Sequence, residues 1–295
     1  MKRILIGAGI ASSLLLGACS ASDLSTPTTL ALSAGDTLAA VSVSSADASA
    51  EDVDIMMAAE ASMDGTTLGG TSSYDILSAG APSFSSSAAG SDSARFAFWG
   101  FSGNCTFSAA TGRFTCPDVV KNGLTLSRSA AFTDANGGVM SRYNDTTTAS
   151  ANFQLGVSGV RTTTNGADTL SRQRTMTVTG LLGHETTRTW NGSGTRTDAG
   201  YSSDSARVRA YHAQDATTIV NVVVKLPRSA NPWPQSGTIT RQVAGSGSVI
   251  ANGTTRTFTV SRIVTITFNG TRYVPMMIGN TAFTLDLFTG KAAKA

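Results

Sequence analysis

The side chains able to do chemistry are few and scattered. In 295 residues there are two histidines, His184 and His212, and three cysteines, Cys19, Cys105 and Cys116. His184-Glu185 lacks the second imidazole that would place two nitrogens on one zinc ion, so no zinc hydrolase motif forms. No Gly-x-Ser-x-Gly elbow presents a serine nucleophile, and no Gly-Lys-Ser/Thr run cradles a phosphate. Gly192-Ser193-Gly194 and Gly245-Ser246-Gly247 are expected to be turns, because no helix follows to bring its positive end to an anion. Gly7-Ala8-Gly9 lacks the third glycine and the preceding strand of a dinucleotide site. These patterns point away from an enzyme, a metal site and a bound cofactor.

Cys105 and Cys116 stand at the ends of two short β-prone runs. With Ala109 to Gly112 as the turn, Ser108 faces Arg113, Phe107 faces Phe114, Thr106 faces Thr115 and Cys105 faces Cys116. Register alone therefore predicts a disulfide with an aromatic pair beside it, closing a loop worth about 3 kcal/mol in chain entropy.

Cys19 has a different setting. Lys2 and Arg3 precede an apolar stretch from Ile4 to Leu16, and Leu16-Gly17-Ala18-Cys19 closes it. This segment resembles the lipobox of bacterial lipoproteins. The resemblance implies removal of residues 1–18, a thioether-linked diacylglycerol on Cys19 and acylation of its new amino group, an anchor strong enough to need no further span. Ser20, where the inner-membrane retention signal has Asp, favours an outer-membrane location in a Gram-negative host.

Charge divides the chain after that leader. Residues 20–94 hold ten acidic side chains and no Lys or Arg, whereas residues 95–295 hold 20 basic against 9 acidic, a net of +11. The first part, residues 19–94, is rich in Ser, Ala, Thr and Gly and is expected to be a disordered or partly helical acidic tether. Ser45 to Met63, with Val53, Met56, Met57 and Glu60 near helical spacing, is its candidate helix. Such a helix would dock on the body, remain a solvated spacer, or fold over the basic body and mask a binding face.

Residues 95–295 are expected to form an antiparallel β domain. Leu124, Leu126, Ala130 and Phe132 alternate with polar residues, interrupted by Arg128; Ala149 to Val157 and Phe258 to Phe268 repeat the pattern. Asn-Gly at 122, 136, 165, 191, 252 and 269 supplies hairpin turns. The continuously apolar 219–226 suggests a central strand, and Pro227, Pro232 and Pro234 an irregular crossover after it. The fold class is all-β: a meander of about ten strands forming a curved sheet or barrel.

Sixteen of the twenty basic residues in this domain are Arg. Arg172 with Arg174 and Arg207 with Arg209 alternate along strands, and Arg188 and Arg196 flank Asn191-Gly192. Same-face arginines suit phosphate, sulfate or carboxylate groups, while without interleaved aromatics they do not suit nucleic acid. Leu124 to Gly137 and Gly180 to Gly192 resemble uncharacterised exported β-rich proteins of environmental bacteria, a resemblance that implies no activity. The expected function is that of a membrane-anchored envelope lipoprotein of structural or interaction type, with an envelope protein, lipid or glycan as partner. A carrier of an apolar or anionic ligand on the curved sheet, and an enzyme with an unrecognised carboxylate or serine site, are the competing readings.

Overall fold

The computed structural model describes residues 30–31, 34–64, 105–121, 123–203 and 207–295; the lipobox and Cys19 lie outside them. A two-residue strand β1 (Leu30–Ala31) precedes helix α1 (Ala34–Asp64). Thirteen strands follow: β2 (Thr106–Ser108), β3 (Arg113–Lys121), β4 (Leu124–Thr133), β5 (Val139–Met140), β6 (Ser150–Thr163), β7 (Gly166–Thr179), β8 (Thr187–Ser203), β9 (Arg207–Lys225), β10 (Ser236–Ala251), β11 (Thr254–Thr267), β12 (Tyr273–Ile278), β13 (Thr281–Asp286) and β14 (Lys291–Lys294). The all-β antiparallel meander is thus the fold. Each strand from β7 to β14 pairs with its predecessor, β4 bridges β3 to β6, and β5 and β1 attach to β4 and β11 outside that path. Among the described residues the sheet is open, with β2 and β14 at its edges. Strands number more than ten because short ones such as β2, β5 and β14 carry too little pattern to show in sequence.

Turn chemistry fixes the register. Asn252 (φ 50°) and Gly253 (φ 73°) both take the left-handed conformation that a two-residue turn matched to strand twist requires, and the β10–β11 ladder runs unbroken from Ala251↔Thr254 to Thr238↔Thr267. Thr164 and Asn165 turn β6 into β7 without positive φ, since Gly166 already pairs with Thr163. Asn191-Gly192 does not turn. It lies inside β8, because Ser193 to Ser202 keep pairing with both β7 and β9, so Arg188 and Arg196 share one strand instead of facing each other across a hairpin. Gly192-Ser193-Gly194 and Gly245-Ser246-Gly247 are likewise mid-strand. What Asn191 supplies is a bulge: the β8–β9 register shifts between Trp190 and Gly192, Asn221 opposite adopts φ 49°, and its N–H donates to Asn191 Oδ1 (2.8 Å). The Pro-containing segment after β9 joins neighbouring antiparallel strands and makes no crossover.

The Cys105–Cys116 disulfide forms on the expected register, Thr106↔Thr115, Phe107↔Phe114 and Ser108↔Arg113, with the two phenylalanine rings 5.1 Å apart. Phe132 and Tyr143 extend this aromatic cluster. From there the apolar face runs from strand to strand: Ala130, Phe153, Met176, Gly192, Ile219 and Ile239 are successive register partners.

Helix α1 lies against that face. Successive residues turn about 100° around a helix axis, so Ala46, Ala50, Glu51, Asp52, Val53 and Ile55 together point in every direction. All six are buried. A helix enclosed all round shows no amphipathic stripe, and α1 has none. Its small Ala and Ser side chains make it slender enough to be buried against the open sheet. It also begins at Ala34 and not near Ser45, since the Ala/Ser stretch before Glu51 is packed rather than solvated.

Candidate functional site

The sheet's concave face carries the charges. Along one register row stand Arg128, Arg174, Thr217 and Arg241, contributed by β4, β7, β9 and β10; the next row holds Arg172, Arg196 and Asp215. Alternation puts them on the same side as the apolar core.

Helix α1 meets them with carboxylates. Asp52 Oδ1 accepts from Arg174 Nε (2.7 Å), and Oδ2 accepts from Arg241. Glu51 pairs with Arg172, and Glu60 accepts from Trp190 Nε1 at 2.6 Å, with Arg228 3.7 Å away. Arg241 is wholly buried, and each of its five N–H groups has an acceptor: Ser49 Oγ, the Ala48 carbonyl, Asp52, Asp215 and Thr217 Oγ1. Satisfaction this complete is what makes a charge tolerable in an apolar interior.

Glycine makes room for one of these contacts. A Cβ at Gly194 would stand 2.5 Å from Arg174 Cδ and Nη1 and 2.5 Å from the Gln173 carbonyl, so only glycine lets Arg174 lie across β8 towards the helix. Arg174 also donates to the Gln173 and Thr195 carbonyls.

The electrostatics follow. Burial pushes the Asp52 carboxyl up, but the Arg174 and Arg241 guanidinium groups outweigh it and hold Asp52 below the usual carboxylate range. Burial lowers Arg174, and Asp52 more than restores it, leaving it above its ordinary value. Asp52 is therefore an anion at neutral pH, with both oxygens engaged by arginines.

Of the four arginines expected to contact an anionic ligand, Arg172 and Arg174 come together, and the anions on them are Glu51 and Asp52 of the same chain. Arg209 is half-buried and pairs in register with Ser202 and Val249, six residues along β9 from Asp215, about 20 Å away. Arg207 pairs with Ala251 through its backbone, and its side chain lies outside the described residues. The four do not form one stripe.

The histidines are also apart. His184 is exposed in the loop before β8, where Glu185 accepts from the backbone N–H groups of Leu182 and His184. His212 lies on β9, thirteen residues from Lys225, the partner of Thr187 at the start of β8. Among the described residues no three His, Cys, Asp or Glu side chains stand together in an arrangement that could hold a metal ion. The concavity lined by Val53, Met56, Val224, Arg228 and Pro234 is too narrow to admit a water molecule.

Sequence reasoning weighed an acidic arm folded over the basic body but did not find which carboxylate meets which arginine. The available signal was the opposite net charge of the two parts of the chain. No family model, no curated protein and no solved structure matches this chain.

Proposed function

We propose that this chain is a lipid-anchored envelope protein of structural or interaction type, held in the outer membrane through acylated Cys19, with its β domain presenting a surface to other envelope components. The observation that supports this reading best is the occupied interior. A carrier needs a void the size of its cargo, and here α1 occupies the concave face around Trp190 and Arg241, where its carboxylates take up the arginines. What the protein offers to partners is then its outside. The lipobox resemblance supplies the anchor, and no helix among the described residues is long and apolar enough to cross a membrane.

The test is metabolic labelling with a palmitate analogue in a Gram-negative host. The native chain should take up label and fractionate with the outer membrane, and Cys19→Ala should lose the label and become soluble after osmotic release. Label independent of Cys19 would overturn the anchor. A stoichiometric lipid extracted from the purified Cys19→Ala protein would restore the carrier reading.

A further inference from the structure

The chain enters the fold at one end of the sheet. Gly166, Ser202, Arg209, Val249 and Arg256 are successive register partners, so the ends of the β6–β7, β8–β9 and β10–β11 hairpins lie together. β1 pairs in parallel with β11 at this end, Leu30 with Arg256 and Ala31 with Thr257. Helix α1 then runs away from it: Ser49 meets Arg241, Asp52 meets Arg174, and Glu60 meets Trp190, four residues along β8 from Gly194, the register partner of Arg174.

Leu30 is eleven positions from Cys19, at most about 40 Å of extended chain. Strand β9 alone spans 19 residues, about 60 Å. An acyl anchor on Cys19 therefore keeps the hairpin end, and not the opposite one, within reach of the bilayer at all times. Tethering turns a contact made there into an intramolecular event, so a surface too weak to bind alone becomes effective.

The side chains at this end suit a headgroup layer. Tyr201, Val208 and Ile250 are exposed on the side of the strands away from Arg209; Val208 and Ile250 are direct register partners, and Tyr201 lies diagonal to Val208. On the other side Arg209 and Arg256 flank Val249 in register. Among the described residues no carboxylate pairs with either arginine, whereas Asp168 and Asp198 are taken by Arg161 and Arg196. A tyrosine ring beside aliphatic side chains seats at the boundary between water and acyl chains. Guanidinium groups donate to phosphate oxygens and are drawn to a negative lipid surface. An end-on approach brings both sides of the sheet to the bilayer together.

We propose that the hairpin end of β8–β11 docks on an anionic phospholipid bilayer, with Tyr201, Val208 and Ile250 as its apolar contacts and Arg209 and Arg256 as its phosphate-binding groups. The proposal rests on the lipid-anchored reading above and deepens it by naming the surface that faces the membrane.

A fluorophore sensitive to water, NBD, tests it at Tyr201→Cys and, for comparison, at Tyr273→Cys, an exposed aromatic position at the opposite end of the sheet. Each chain carries Cys19→Ala and a polyhistidine tag in place of residues 1–18, and is held on vesicles by a nickel-chelating lipid; Cys105 and Cys116 are joined and do not take label. That tether replaces the acyl group, so the outcome is independent of whether a cell acylates Cys19, which the palmitate label decides. On phosphatidylcholine–phosphatidylglycerol vesicles, emission at position 201 should rise and shift to the blue, and emission at position 273 should not. Vesicles lacking phosphatidylglycerol should give a smaller shift. Arg209→Glu/Arg256→Glu should lose most of it, with Arg256→Glu alone used if circular dichroism shows the double variant misfolded. Val208→Cys repeats the reading with Tyr201 intact. No shift at positions 201 and 208, equal shifts at positions 201 and 273, or a shift indifferent to the arginine variants would overturn the proposal.

Discussion

Asp52 on α1 and Arg241 on β10, 189 residues apart in sequence, form an ion pair in which neither side chain is more than 1% exposed. A charge pair this deep is stable only while every member is present, because the desolvation cost of each ion is offset solely by its partners. Arg241→Met should therefore cost about 3–5 kcal/mol, since it leaves Asp52 with Arg174 alone and takes from Asp215 its guanidinium hydrogen bond. Urea denaturation of native and variant proteins measures it. Combining Arg241→Met with Asp52→Leu should recover part of the loss, and an additive double variant would show that the two do not interact.

Acid should unfold the protein through the same residue. The folded-state carboxyl of Asp52 lies below its ordinary value of 3.8, so its stabilising contribution is complete above that pH and is lost as pH falls further, through the lowered folded-state value. Thermal melts should show Asp52→Asn least stable relative to native at neutral pH, with the difference shrinking below about pH 4. A difference constant down to pH 2 would contradict the ion-pair assignment.

At the alkaline end Tyr211 is the indicator. Burial, followed by the nearby Asp168 carboxylate that accepts its hydroxyl at 3.0 Å, pushes Tyr211 up from 10.0 to about 12. A raised folded-state value means that its contribution is full below pH 10 and disappears as pH rises towards 12. Ultraviolet titration should show a late tyrosinate step that Tyr211→Phe removes.

Proteolysis separates a packed helix from a tether. Glu51 and Glu60 are buried, at 8% and 1% exposure, so a glutamate-specific protease should leave both bonds intact in the native protein and cut them after urea. Rapid cleavage at either site under native conditions would place α1 outside the fold.

Cys105→Ser/Cys116→Ser should lower stability by about 3 kcal/mol, the chain-entropy value for a short loop. Here the closed segment spans 11 positions. Denaturation of the variant, and of the native protein with and without reductant, should agree.

The hairpin of Cys105 and Cys116 was legible in sequence because all its determinants are local: two runs of equal length, one turn, and cysteines at matching distances from it. The alternation from Leu124 to Phe132 was legible for the same reason, down to Arg128 on the buried side. Asn191-Gly192 misled because a bulge and a turn favour the same residues, and only the continuation of pairing beyond Gly192 distinguishes them. The burial of α1 was hidden for a different reason. Small and acidic side chains normally signal solvent, and what reverses that meaning is a set of partners from Arg172 to Arg241 that no local window contains. The candidate seam was therefore visible as two unlike charge totals but not as contacts.

The position of α1 in the chain sets an order of events during synthesis. The helix emerges first, 121 residues ahead of Arg172, the earliest of its arginine partners, and 189 ahead of Arg241. Until those strands exist its carboxylates have nothing to neutralise them, and the sheet in turn has no core to close upon. The buried ion pairs of α1 are therefore complete only once β10 has been made, whatever hairpins form before it.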